Sequence, residues 1–394
     1  MYNTNNYKNY QLKLVGNLLY YIALIVWTII TQVNSSTIET VFLIDKNIFS
    51  SLLVKVVEII LIMKILLFSE YRIKEIFRLS IGIIVVIIIS YYAEKYDVLF
   101  LFLFIAASKN IKLENVAKII FYSLIATTIV IIGLALLGGI LNTIFIRNTR
   151  VGYGMGFSHP NVCGHVILSI CILRVYLIYD KIKIRDYIGL ITTLFITLLV
   201  TMSRSSVFMM ILLIFMMILK KYIQTPNIYK ILKNNCKLFA IMLPTISIVL
   251  GIIYSSSNSL MVKINDILSD RILWENIYYQ NYGIKVFGTK IISNSSVEIY
   301  NYNKNMQVLD NAYMNYMISY GTIFIILFVF AYYWFIHNIE IQYISLIICI
   351  LMALLSGVSD NYILSIPYNF TLIGFGSIIY GGKSIIGSKK QLIA

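Results

Sequence analysis

The sequence predicts an all-α integral membrane protein of about 12 transmembrane helices, with one large extracytoplasmic loop. Three observations carry this. Hydrophobic residues make up 59% of the 394 residues and charged residues only 12%, against about 25% charged in a soluble domain. Runs such as 81–90 (IGIIVVIIIS) and 207–220 (VFMMILLIFMMILK) are apolar on every side, so no face is left for water. Lysine and arginine are also distributed unevenly along the chain, concentrated in every second segment between the apolar runs.

A helix needs about 20 residues to cross a bilayer. On that length the apolar runs give spans near 14–33, 48–68, 76–92, 96–108, 114–140, 160–179, 187–203, 205–221, 237–256, 312–336, 340–357 and 361–381. An even number of spans places both termini on one side. If that side is the cytoplasm, the inner segments hold 19 Lys and Arg and the short outer loops hold 5. The positive-inside rule then orients the chain with both termini cytoplasmic. The same rule accounts for the net charge of +15, so no nucleic-acid partner is needed to explain it.

The polar Asn/Tyr-rich N-terminus and the lack of a small-residue cleavage site after 14–31 predict no cleavable signal peptide. Cys163, Cys171, Cys236 and Cys349 lie in or beside apolar runs at no metal-binding spacing, which reads as small buried side chains. No internal repeat is visible. The chain therefore reads as a single membrane domain, 1–394, with a large outer loop over 257–311. Within that loop the Asn/Tyr/Ser-rich stretch 293–307 reads as mobile.

Four outer segments stand out. Residues 148–165 (NTRVGYGMGFSHPNVCGH) join spans five and six. Gly152, Gly154 and Gly156 alternate, permitting a sharp turn or a close approach to a ligand. Pro160 opens a helix after His159, placing Asn161 and His165 in its first turns, where the positive helix end favours anions. Arg147, Arg150 and Arg204 sit on the disfavoured outer side, Arg204 in 201–207 (TMSRSSV) between two apolar runs. An arginine there either anchors to lipid phosphate or binds a ligand. Residues 268–279 (LSDRILWENIYY) read as an amphipathic helix in which Arg271 and Glu275 form an i,i+4 pair, resting on the membrane or lining a site. In 309–321 (LDNAYMNYMISYG), Asp310 and Asn311 precede a span. Asp310 suits a helix N-cap and equally a general base at the membrane surface.

In this order, GFSHPN opening a mid-chain span, SR between closely spaced spans, SDRxxxW in a large outer loop, a glycine turn at Gly288 and DNAYxxYMISYG leading into a span, the motifs resemble the O-antigen and capsular polysaccharide polymerases (Wzy), whose wider family includes the O-antigen ligases. The resemblance covers about 145–335 by motif and the rest by span layout. It implies a GT-C-like inverting glycosyltransferase that joins undecaprenyl-pyrophosphate-linked oligosaccharide repeats at the outer face. A chain-length regulator and a flippase are the implied partners. In the related ligases arginines near the membrane surface bind the pyrophosphate, and a loop histidine begins the span after the large loop. Here that position is Asp310.

The residues suit such chemistry. A lipid-pyrophosphate leaving group calls for fixed cations, and arginine is always charged and bidentate towards phosphate. The carboxylates and imidazole on offer as base are Asp310, Asp270, Glu275 and His159. Asp310 is assigned as base, with Arg204 and Arg271 as the pyrophosphate clamp. His159, Asn161, Arg150, Arg147 and Asn311 are assigned as substrate contacts. The absence of an acidic cluster predicts no metal and no cofactor. A ligase attaching finished glycan is the nearest alternative, and a lipid-linked oligosaccharide flippase or other transporter the next. A transporter more often shows repeats and midplane polar groups.

Overall fold

The computed structural model describes residues 2–38, 46–147, 150–291 and 309–381. It is a bundle of helices carrying one small β-hairpin. In chain order the helices are α1 (Tyr2–Asn34), α2 (Lys46–Leu67), α3 (Ile73–Ala93), α4 (Asp97–Ala107), α5 (Leu113–Leu136), α6 (Pro160–Ile178), α7 (Ile184–Val200), α8 (Arg204–Ile218), α9 (Lys220–Ile223), α10 (Pro226–Ile253), α11 (Ser259–Ile267), α12 (Arg271–Tyr282), α13 (Ala312–His337), α14 (Ile344–Ser356) and α15 (Gly376–Tyr380). Strands β1 (Ile144–Arg147) and β2 (Arg150–Tyr153) pair antiparallel between α5 and α6, Ile144 opposite Tyr153 and Arg147 opposite Arg150. Among the described residues six helices are long and apolar enough to cross a membrane: Gln11–Asn34, Ile73–Ala93, Leu113–Leu136, Pro160–Lys181, Pro226–Ile253 and Ala312–His337. Large apolar side chains such as Leu66, Ile84, Ile129 and Leu199 face outward on these and neighbouring helices. An outward apolar face on helix after helix is what lipid contact requires, consistent with an all-α membrane protein.

The last of the expected spans, 361–381, is not a continuous helix. After α14 the chain runs through turns to a short 3-10 segment, Phe370–Phe375, and then α15. Its side chains are nonetheless deeply buried, Leu372 and Ile373 completely. Irregular backbone survives at membrane depth only inside protein, with its polar groups answered there. Asn369 Nδ2 donates to Tyr332 Oη (2.8 Å) and to the Ile363 carbonyl (2.7 Å), and Thr371 Oγ1 donates to Asn369 Oδ1 (2.6 Å). Hydropathy alone cannot separate a buried irregular strip from a helix, because both are apolar.

The end of the bundle that the charge bias assigns to the cytoplasm is tied by cations to backbone. Glu75 closes α3 through the Arg72 amide (2.9 Å) and pairs with Lys109 (2.5 Å). Lys64, buried to 1% exposure, donates to the Lys109 carbonyl at 3.0 Å. Arg78 donates to the carbonyls of Ile378 and Ile379 (3.1 and 3.0 Å), pinning α15 against α3. The stretch 293–307 and the C-terminal residues beyond 381 lie outside the described residues.

Helix α13 is broken one third of the way along. Gly321 has φ 87° and ψ 177° inside it, a conformation that an L side chain rarely adopts. The break frees backbone groups that a straight helix would pair. The segment following α12 answers them: Thr322 N donates to the Lys285 carbonyl (3.1 Å), Ile323 N to that of Val286 (3.2 Å), and Thr289 N to that of Ile318 (3.0 Å). The two backbones run so close that a Cβ on Gly288 would sit 2.0 Å from the Ser319 oxygen. One on Gly321 would sit 2.3 Å from the Val286 oxygen.

Candidate functional site

The site assembles where α6, α12, α13 and the turn after α14 meet at the end of the bundle assigned to the outside. Its first component is the corner between α11 and α12. Ser269 and Asp270 both take left-handed backbone conformations, φ 58° and 63°. Buried Asn265 holds the corner by accepting the Leu273 amide (2.9 Å) and donating to Asp270 Oδ1 (2.9 Å). Asp270 is thereby engaged in the fold, and Arg271 becomes the first residue of α12. Helix α12 packs on α10 and on the start of α13, so it belongs to the protein body. Leu260 and Ile267 on α11 stay exposed, as an interfacial helix requires.

The sequence pairs Arg271 with Glu275, but the structure pairs it with Asp310. Arg271 Nη2 lies 3.8 Å from Asp310 Oδ2, with 22% and 45% of the two side chains accessible. Its Nη1 donates to the Leu268 carbonyl at 3.3 Å, while Nε has no hydrogen-bond partner among the described residues. Glu275 instead turns inward to 2% exposure and presses against Gly251 of α10. Burial raises its pKa to about 8, against the opposing pull of the Asn311 side chain and the Arg271 charge. At neutral pH Glu275 is therefore a neutral acid, and it does not cancel the guanidinium beside it.

Asp310 is also relieved of a structural duty. The N-cap of α13 is Asn311, whose Oδ1 accepts from Tyr313 N (3.0 Å) and Met314 N (3.3 Å). Asn311, assigned as a substrate contact, is buried and occupied as a cap. The Asp310 carboxylate is left at the opening. The protein packed around it raises its pKa to about 6; the Arg271 charge works against that rise, and the Asp360 charge adds to it. A carboxylate at that value is ionised at neutral pH and near optimal for taking a proton.

The arginine- and glycine-rich connector gathers a second group of residues. Its glycines serve the fold. A Cβ on Gly154 would meet Thr143 Oγ1 at 2.0 Å, and one on Gly152 would meet the Thr201 carbonyl at 2.8 Å. The hairpin thus packs on the turn before α8, three residues from Arg204, rather than opening towards a ligand. His159 caps α6: its Nδ1 accepts the Asn161 amide at 3.1 Å and its ring packs on Phe145 at 5.0 Å. The imidazole occupies the place expected for an anion, and burial lowers its pKa. Asn161 is half-buried on the first turn of α6. Arg150 and Arg204 are exposed, and no ion pair joins either to a described carboxylate. Arg147 ends β1, and its side chain lies outside what is described. Helix α8 lies tight on α6, since a Cβ on Gly164 would meet Ser203 Cβ at 2.7 Å.

Between these groups lies a pair the sequence did not single out. His165 Nδ1 on α6 is 3.7 Å from Asp360 Oδ2, with 6% and 7% of the side chains accessible. The sequence places His165 in the first turns of a helix and Asp360 in a short turn between the last apolar runs, where it reads as an ordinary turn residue; no pattern joins the two. A small cavity of about 10 Å³ borders His165, Ser169, Ser356, Tyr362 and Tyr368. Among the described residues no three His, Cys, Asp or Glu side chains converge to hold a metal ion.

No protein-family model, no curated protein and no solved structure matches this chain.

Proposed function

We propose that the protein is a surface-polysaccharide polymerase of the Wzy type. On this reading it is a GT-C-like membrane glycosyltransferase of about 12 spans in the bacterial plasma membrane, with both termini cytoplasmic. Its substrates are undecaprenyl-pyrophosphate-linked oligosaccharide repeats, and a flippase and a chain-length regulator work with it. The observation that carries the reading is the Arg271–Asp310 arrangement: a cation whose Nε has no hydrogen-bond partner among the described residues, 3.8 Å from a carboxylate that capping does not consume.

In the proposed reaction the acceptor hydroxyl of a lipid-linked repeat attacks the anomeric carbon of the growing chain, opposite the pyrophosphate. The O–H bond breaks and Asp310 takes the proton. The new C–O bond forms as the bond to pyrophosphate breaks, and undecaprenyl pyrophosphate leaves with the bonding pair. Arg271 offers Nη2 and Nε to that pyrophosphate, stabilising charge where it develops. Arg204 and Arg150 supply further exposed positive charge at the same end of the bundle. Asn161 offers a polar contact at the start of α6.

The test is the cell-surface glycan of a deletion strain, with its lipid linkage determined, after complementation by wild type, Arg271→Ala, Arg204→Ala or Asp310→Asn. Single repeats on lipid at the outer face in the deletion and in the Arg271 and Asp310 variants support the reading. Full-length polymer stranded on its carrier makes the protein a ligase. Repeats trapped at the inner face make it a flippase. Either result overturns the polymerase assignment.

A further inference from the structure

At the end of the bundle that the charge bias assigns to the cytoplasm, α10 and α13 pack side by side. Each presents a stripe of residues at helical spacing. On α10 the stripe is Lys230, Lys233, Lys237 and Ile241. On α13 it is Ile326, Phe330, Tyr333 and His337, all four exposed. Two contacts set the stripes in register. Lys237 Nζ lies over the Tyr333 ring, 5.8 Å from its centre. Lys233 Nζ donates to the Ile339 carbonyl, just past the end of α13, at 2.7 Å. The helices therefore run in opposite directions, and the groove between them changes polarity along its length. Beyond the level of Lys237 and Tyr333 it offers Ile241, Phe330 and Ile326, all facing outward. Towards the end of the bundle it offers Lys230, Lys233 and the His337 ring.

The lysines are held in place without a counter-charge. Lys233 and Lys237 stand one helical turn apart, a like-charge spacing that costs stability. Among the described residues no carboxylate forms an ion pair with Lys230, Lys233 or Lys237. Glu340, just past α13, instead accepts from Gln342 Nε2 at 2.7 Å. Tyr229 Oη donates to the same Ile339 carbonyl as Lys233 (2.6 Å), and Tyr333 stacks on His337 at 6.5 Å and 16°. Side chains ordered in advance lower the entropy cost of taking a ligand.

We propose that this groove binds one anionic phospholipid, its phosphate held by Lys230, Lys233 and Lys237 and an acyl chain laid along Ile241, Phe330 and Ile326. Ammonium groups make short, charge-assisted hydrogen bonds to phosphate oxygens, and a basic pocket between membrane helices suits an anionic headgroup. The apolar length of the groove is what selects a lipid over a free phosphate, which would leave that length unused. The inference does not rest on the proposed reaction, since binding is read without transfer. Its position bears on that site all the same. Helix α12, which begins with Arg271, packs on α10, and α13 begins just after Asp310. The lipid thus ties together, at their far ends, the two helices on which the candidate site is mounted.

The test is native mass spectrometry of the purified full-length protein, released from nanodiscs of mixed phosphatidylglycerol and phosphatidylcholine. Wild type should retain one phosphatidylglycerol in preference to phosphatidylcholine. Lys230→Ala and Lys237→Ala should each lower the retained fraction about fivefold. Lys237→Arg should keep it, and Phe330→Asn should lower it by removing the chain contact. Lys230 is exposed, so its variant keeps the test available if Lys237→Ala misfolds. Lys74→Ala alters an exposed lysine on α3 at the same end of the bundle and should change nothing. A loss in Lys74→Ala equal to that in Lys237→Ala would reduce the effect to bulk surface charge and overturn the proposal. Equal retention of the two lipids by wild type would overturn it as well. Displacement of the lipid by glycerol phosphate alone would make this a site for free phosphate, and displacement by polyglutamate a site for an acidic protein; either result refutes the lipid assignment.

Discussion

Asn311 accepts the amides of Tyr313 and Met314, while the carboxylate of its neighbour Asp310 stands 3.8 Å from Arg271. One residue closes the helix, and the carboxylate of its neighbour stays out of the cap. Substitutions at the two positions should therefore separate stability from activity. Asp310→Asn should fold normally and lose about 10²- to 10⁴-fold in transfer rate. Thermal melting in detergent and the glycan gel together check this.

Asn311→Ala should do the reverse in part. Losing the cap costs about 1 kcal/mol of helix stability. Melting temperature should fall, while transfer per folded molecule declines less than in Asp310→Asn. Comparable losses of transfer in the two variants would contradict the division of labour.

Arg271→Ala should lower transfer by about 10²- to 10³-fold, the usual effect of removing one electrostatic contact to a developing charge. Arg271→Lys keeps the charge but loses the planar fork, so it should restore only part of the rate. Titration with undecaprenyl pyrophosphate as a product inhibitor should show weaker binding in both variants.

The site should work inside a pH window. Asp310 must be ionised to accept a proton, so the rate should fall as pH drops through about 6. Glu275, with a pKa of about 8, should ionise above that and compete with pyrophosphate for Arg271, so the rate should fall again. Glu275→Gln should remove the basic limb and keep the acidic one.

The same residue carries a stability consequence of defined sign. A carboxyl whose folded value lies above its unfolded value binds its proton more tightly when native. Stability is then lost as pH rises from the ordinary carboxylate range towards about 8. Near neutrality the loss is on the order of a few kcal/mol. Glu275→Gln should flatten melting temperature across that range.

The long apolar helices were legible because twenty residues without water leave an unmistakable record in composition. Other features were not, each for a physical reason. Strands β1 and β2 are four residues each, too short to show alternation. The segment 361–381 is as apolar as a span, and only the side-chain partners of Asn369 and Thr371 reveal why it need not be helical. Asp310 and Asn311 are equally good caps by type, so the assignment could not be made without coordinates. His165 and Asp360 are 195 positions apart in the chain; no local pattern joins them. The resemblance singled out Arg271 and Asp310, but their contact, and the exclusion of Glu275 from it, depend on how α12 turns its face to α10.

The break at Gly321 has a mechanical meaning. The nine residues from Ala312 to Tyr320 form a short rod jointed to the rest of α13, and the strap that seals the joint continues from the helix bearing Arg271. Cation and carboxylate therefore belong to one hydrogen-bonded unit rather than to separately mounted walls. The separation of the two groups is then fixed by main-chain hydrogen bonds across the break, so a side chain at Gly288 or Gly321 would disturb the site without touching it.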